Sequence, residues 1–337
     1  MKKKAAAMLL GLAMTISMTG CGGTDSAKNT SAAPTSQAES SAAAESSTEA
    51  ESTEPKEITV KHDLGETTLT TEPKRIVVFD YGTLDALDYA GIDVIGLGMG
   101  GNLAEHLSKF SGEAYKVAGS LHEPDFEVVN ELKPDLILIS ARAAKSYEEL
   151  SKIAPTVHMT MPSANYFESF QANLNILSQI FPSKADVFSK AAEEINTKIK
   201  AVNEKVTAGK WNAMVIMAND SELSVFGQGS RFSIVYDDFG FQVADDQVDD
   251  STHGQTATFE YLAEKDPDYL FVIDRGAATG AAEATGAQKL LDNELMNGTK
   301  AAANDHIVYL DSTNWYVVSG GITATNAMVD EVAASLE

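Results

Sequence analysis

Arginine is scarce in this chain of 337 residues, and its placement is the first chemical signal. Lys and Arg together number 25, yet the only arginines are Arg75, Arg142, Arg231 and Arg275. Three of them follow apolar, strand-like runs. Arg142 comes after LILIS, Arg275 after FVID, and Arg231 closes Gly227-Gln228-Gly229-Ser230-Arg231 after LSVF. Ligands of open α/β sheets bind outside the carboxyl ends of the strands, and the planar, permanently charged guanidinium suits oxyanions. One such arginine commonly pairs with a carboxylate or caps a sheet edge. Three together point to an anion held between two lobes. Tyr316 also follows a strand-like run, IVYLD, and precedes a Gly-rich turn. In isolation, Trp315-Tyr316 would read as packing, and His253 in its polar loop as a solvated histidine.

Other chemistries lack their residues. No His-x-x-x-His occurs among the six histidines, so the zinc-protease and zinc-transport patterns have no ligands. Gly-x-Ser-x-Gly is absent, and Ser230 and His253 have no identifiable third partner for a hydrolase. Gly96-Leu97-Gly98-Met99-Gly100-Gly101 fits the dinucleotide fingerprint, but it is not the first strand–helix turn of the chain. Its plainer reading is a flexible turn at the mouth of a cleft. The formal net charge of −24 argues against nucleic acid as a partner.

Alternating strands and helices must position these residues. A hairpin is expected over Ile58–Val60 and Thr67–Leu69, with strands at Arg75–Phe79, Val94–Leu97 and Asp135–Ser140 and helices at Thr83–Ala90 and Phe126–Leu132. Helical periodicity over 164–208 breaks at Phe181-Pro182, and a longer helix then runs to Gly209. Strands follow at Ala213–Met217, Leu223–Phe226, Tyr269–Ile273 and Ile307–Leu310, with a terminal helix from Thr323. The halves repeat one another: DFEVVNELKPDLILISAR (125–142) aligns with TFEYLAEKDPDYLFVIDR (258–275), matching Glu127 to Glu260 and Arg142 to Arg275. The expected fold is α/β, two similar lobes (57–181 and 210–337) joined by one long helix (182–209), with the ligand cleft between them.

The first twenty residues read as an address. Lys2–Lys4 precede an apolar stretch too short to span a bilayer comfortably, ending at Met18-Thr19-Gly20-Cys21. This resembles a bacterial lipobox, which implies cleavage before Cys21 and a lipid anchor on its sulfur. An ordinary secreted protein with an incidental cysteine is the alternative. Residues 21–56, rich in Ser, Thr, Ala and Glu, read as a disordered tether.

With these residues assembled, the chain resembles the substrate-binding lipoproteins of iron–siderophore ABC importers. It looks most like their catecholate subgroup, of petrobactin and enterobactin type. The resemblance runs from Glu57 to Glu337 and rests on RIVVFDYGTLDALDYAG, ELKPDLILISAR, VFGQGSRF, STHGQT, EKDPDYLFVIDR and IVYLDSTNWYVVSGG, in that order. It implies a class III periplasmic-binding-protein-like fold with modest movement on binding, and a monomer on the extracytoplasmic face, held to the membrane only by its anchor. It also implies permease and ATPase partners, no permanently bound cofactor, and Fe(III)–siderophore as cargo. Position by position, Arg142, Arg231 and Arg275 match the residues that receive catecholate oxygens. His253 and Tyr316 match a pair that binds iron in some members, and Glu127 and Glu260 match the positions that dock the permease. Two stretches depart from the family pattern: Ser312-Thr313-Asn314 before Trp315, and the Ala-rich Ala277–Ala287. A haem or cobalamin receptor of the same superfamily would leave three arginines without a purpose. An exported enzyme acting on an anionic substrate would lack a general base.

Overall fold

In the computed structural model, the described residues are 54–160, 164–249, 251, 253–281 and 286–337. The expectations for the signal segment, Cys21 and the tether through residue 53 lie outside them. An antiparallel hairpin comes first, β1 (Glu57–His62) against β2 (Gly65–Thr70). Val60, Thr67 and Leu69 face inward while Lys61 and Glu66 face solvent, the period-two pattern of a half-buried ribbon.

A parallel sheet of order β5-β4-β3-β6-β7 follows, built from β3 (Ile76–Phe79), β4 (Gly96–Met99), β5 (Lys116–Ser120), β6 (Leu136–Ile139) and β7 (Thr156–His158). β3 and β6 are buried at every position, as expected of strands covered on both faces. The accompanying helices are α1 (Tyr81–Tyr89), α2 (Phe126–Leu132) and the single turn α3 (Tyr147–Leu150).

Two longer helices come next, α4 (Tyr166–Ile180) and α5 (Ala185–Gly209). They are separated by a 3-10 turn at Pro182–Lys184, because Pro182 has no N–H with which to continue α4. Phe188, Ala191, Ile195, Ile199, Val202 and Val206 form the buried stripe of α5 at helical spacing. They belong to one continuous apolar core that also takes in side chains from both sheets.

The second sheet has order β11-β9-β8-β12-β13, from β8 (Asn212–Asn219), β9 (Glu222–Phe226), β10 (Gln242–Val243), β11 (Gln255–Ala257), β12 (Tyr269–Asp274) and β13 (Ile307–Tyr309). β8, β12 and β13 run parallel, β9 and β11 pair antiparallel, and β10 adds two residues beside β8. Its helices are α6 (Phe259–Lys265), α7 (Arg275–Thr279), α8 (Ala287–Leu291), α9 (Glu294–Asn297), α10 (Lys300–Ala303), α11 (Ser312–Tyr316) and α12 (Ile322–Ser335).

The internal repeat has a structural cause. α2 and α6 each begin with a side-chain cap, Asp125 or Thr258, and end on a left-handed residue, Lys133 or Asp266. The Pro-Asp that follows clamps the start of a neighbouring strand. Asp135 accepts from the N–H groups of Lys74 and Arg75 ahead of β3, and Asp268 from that of Asn212 in β8.

Three placements differ from the expectations. The glycine run is no turn at its start: Gly96 and Gly98 lie in β4, and a Cβ at Gly98 would stand 2.5 Å from the Phe79 ring. Tyr316 sits not directly at a strand end but at the close of α11, which Asp311 caps through the N–H groups of Thr313 and Asn314. The terminal helix α12 packs against α1 of the first half as well as α5. Asp85 on α1, fully buried, accepts from the backbone N–H groups of Thr323 and Ala324, each at 2.9 Å.

Candidate functional site

β3 and β6 end side by side, and Asp80 and Ser140 are the residues that leave them. Asp80 caps α1, accepting from the N–H and Oγ1 of Thr83, and Ser140 Oγ donates to its other oxygen at 2.8 Å. Two residues beyond, Arg142 stands in the 3-10 turn Ala141–Ser146. From the second half come Arg231 after β9, Arg275 at the first position of α7, and Tyr316 closing α11. All four line one cavity of about 810 Å³ together with His253, Asp80 and residues of both halves.

Tyr316 is the hub. Its backbone carbonyl accepts from Arg142 at 3.1 Å and from Arg231 at 2.8 Å. The Arg231 guanidinium also lies over the Tyr316 ring, 4.4 Å from its centroid, a cation–π contact. The phenol oxygen accepts from Arg275 Nε at 3.4 Å, and Arg275 donates onward to Asn219 Oδ1 at 3.1 Å. Charge on these groups follows from the crowding. Burial, with the like charge of Arg142, lowers the Arg231 guanidinium to about 10, still cationic at neutral pH. Burial alone would raise the Tyr316 phenol. The Arg275 hydrogen bond and the three guanidinium charges more than offset that and bring it below its ordinary value.

Among the described residues lining the cavity Asp80 is the one acid, and its oxygens are turned to Thr83 and Ser140. A strongly acidic chain therefore holds a cationic pocket. Low-dielectric walls concentrate that field on an entering anion. His253 is exposed at the cavity wall, its N–H donating to Ser251 Oγ at 3.3 Å.

Residues 76–313 match the family model described as periplasmic binding protein. The chain belongs to this family. As a periplasmic binding protein it is 42% identical to the petrobactin-binding protein YclQ of Bacillus subtilis (strain 168), over 84% of this chain and 89% of that one. The crystal structure of YclQ superposes with a TM-score of 0.79 at 43% identity, covering 84% of this chain and 99% of that one. The ferric-anguibactin-binding protein FatB of Vibrio anguillarum is 30% identical over 82% of this chain and 86% of its own. The catecholate-siderophore binding protein VctP of Vibrio cholerae gives a TM-score of 0.79 at 37% identity, covering 83% of this chain and 100% of that one. The fold of the family is the one described above, with its cavity between the two sheets.

Glu127 and Glu260 of this periplasmic binding protein lie away from that cavity, exposed in the first turns of α2 and α6. Several cavity residues have no counterpart among the sequence expectations: Asp80, Ser140, Asn219 and His122. Asp80-Tyr81-Gly82-Thr83 carried a readable signal, an Asp three residues before a Thr at a strand-to-helix junction. The carbonyl of Tyr316, a backbone atom, carried none.

Proposed function

We propose that this protein captures a ferric catecholate siderophore outside the cytoplasm and delivers it to an ABC permease and its ATPase, binding without catalysis. The carrying observation is the convergence of Arg142, Arg231 and Arg275 on Tyr316 in one cavity. A ferric catecholate is a net anion with planar oxygens, the chemistry a set of guanidinium forks recognises. The name of VctP, a catecholate-siderophore binding protein, supports the ligand class, and those of YclQ and FatB, petrobactin- and ferric-anguibactin-binding proteins, stand beside it. Fe(III) is a hard cation that favours phenolate oxygen, and the lowered Tyr316 phenol suits it. His253 brings a second donor to the cavity wall. A tetradentate bis-catecholate would leave the iron coordination sites open to these two, whereas a hexadentate ligand would not.

The lobes are proposed as 57–181 and 210–337 about the linking helix, on a lipidated Cys21 after removal of residues 1–20, with 21–56 as tether. The protein would act as a monomer at the outer face of the cell membrane, with Glu127 and Glu260 docking the permease, one from each lobe.

The test is a tryptophan fluorescence titration with ferric bis-catecholate, tris-catecholate, hydroxamate and citrate complexes. Trp315 adjoins Tyr316 in the chain, and Trp315→Phe separates its signal from that of Trp211. Saturable quenching by catecholates alone supports the reading. Loss of affinity for the bis-catecholate in Tyr316→Phe and His253→Ala supports direct coordination. If no ferric complex binds, the proposal fails.

A further inference from the structure

The end of the glycine run has a role that the site geometry above does not use. Beyond β4, Gly100 and Gly101 line the cavity, and Asn102 reaches across to the second half just outside it. Asn102 Nδ2 donates to the carbonyl of Ala277 at 2.8 Å, and its backbone N–H donates to that of Ala278 at 3.2 Å. Both carbonyls belong to α7, the five-residue helix whose first residue is Arg275.

A helix this short has no stability of its own, and its final carbonyls have no intrahelical partners. Two of them are met here by donors from the opposite half. The backbone where the halves meet favours glycine on both sides. Gly101 has φ +70 and its Cβ position is 3.4 Å from the Ala278 carbonyl oxygen. Gly280, which ends α7 at φ +73, would place a Cβ 2.8 Å from Asn102 Oδ1. At the other end, Asp274 caps α7 through the N–H of Ala277. α7 is thus held at its start by its own strand and at its finish by the first half.

We propose that Gly100-Gly101-Asn102 is a cross-cleft clasp and Asn102 a positioning residue for the ligand. Through α7 it fixes Arg275, and through Arg275 the Tyr316 phenol that the same guanidinium contacts. This deepens the reading of the cleft as a ferric catecholate site and rests on it for the choice of ligand. Opening the clasp frees Arg275 from its register with Arg142, which is fixed on the first half and keeps its own hydrogen bond to the Tyr316 carbonyl. Asn102 therefore selects for ligands compact enough to be gripped by arginines of both lobes.

The experiment has two readouts on the whole protein. Amide hydrogen exchange in the ligand-free state reports the clasp itself. Asn102→Ala should raise exchange over residues 276–281 by about threefold or more, with the urea midpoint unchanged because Asn102 is exposed. Affinity for the ferric bis-catecholate formed from catechol should fall in Asn102→Ala, by at most about fivefold, the ceiling set by one net hydrogen bond that acts through Arg275. It should fall further in Asn102→Asp, whose carboxylate faces a carbonyl. In an Arg275→Ala background, Asn102→Ala should have little added effect, since it acts through the residue already removed. Unchanged exchange over 276–281, or an undiminished loss of affinity without Arg275, would overturn the clasp. If the parent protein does not bind the ferric complex, the ligand reading fails while the exchange measurement still decides the clasp.

Discussion

Replacing Asp85 by alanine should cost more than any single surface change, because one buried carboxylate joins the start of α12 to α1. Its Oδ1 accepts from the N–H of Thr323 and its Oδ2 from that of Ala324, both at 2.9 Å, and His106 Nε2 lies 3.0 Å from Oδ2. Asp85 has no solvent exposure, and Ala324 is buried. Water therefore cannot readily replace the lost acceptor. Each stranded donor costs about 1–3 kcal/mol, so with partial relaxation the loss is about 3 kcal/mol. At an m-value of about 3 kcal/mol/M the urea midpoint moves down by about 1 M. Asp85→Asn keeps one acceptor oxygen but turns an NH2 donor toward the second N–H, so it should lose at least half as much. Equilibrium unfolding followed by circular dichroism measures both. A midpoint shift below about 0.3 M for Asp85→Ala, or an Asn variant as stable as the parent, would refute the two-acceptor account.

Three further predictions concern charge. His106 is raised above its ordinary 6.5, first by its hydrogen bond to Asp85. Its stabilising contribution is complete below the unfolded value and is lost as pH rises through the higher folded one. The gap in urea midpoint between the parent and His106→Ala should therefore be wider at about pH 5.5 than at about pH 9; an equal gap at both would count against the pairing. Ultraviolet difference titration of the parent against Tyr316→Phe should place the Tyr316 phenol below 10, and Arg275→Ala should move it up; a phenol titrating at or above 10 contradicts the guanidinium field. The double variant Glu127→Ala/Glu260→Ala should abolish uptake of the ferric ligand in cells while leaving its affinity in solution unchanged, and normal uptake would remove the two carboxylates from docking.

The strands readable in the sequence are those with long apolar runs, such as β6, β8 and β12, where burial on both faces leaves few other residue types. The strands that escaped are β5, β7, β11 and the two-residue β10. Lys116-Val117-Ala118-Gly119-Ser120 has no apolar run, and β7 and β11 are three residues each at sheet edges. Edge strands need only one satisfied side, so their composition carries less information. β4 was displaced because glycine usually ends a strand, whereas here Gly96 and Gly98 admit the side chains of Leu132 and Phe79. The cleft arginines were legible because arginine is rare in this chain and strand ends are where ligands gather. The partners of those arginines were not: two guanidiniums meet a main-chain carbonyl, and Asn102 acts from the other lobe through helix ends that have no sequence signature.

The return of α12 to the first half also sets an order on folding. Asp85 and Ala324 are separated by 239 positions, and their hydrogen bond closes nearly the whole length of the folded unit. Contacts of such range form late, since the entropy of closing the loop must be met before they can add stability. A chain emerging from its N-terminus can assemble the first sheet early, yet it leaves the Asp85 carboxylate without its two backbone donors until residues 322–337 arrive. The N-terminal half is thus finished by the C-terminus. Losing that single helix would leave both halves present in sequence and the first one unsealed.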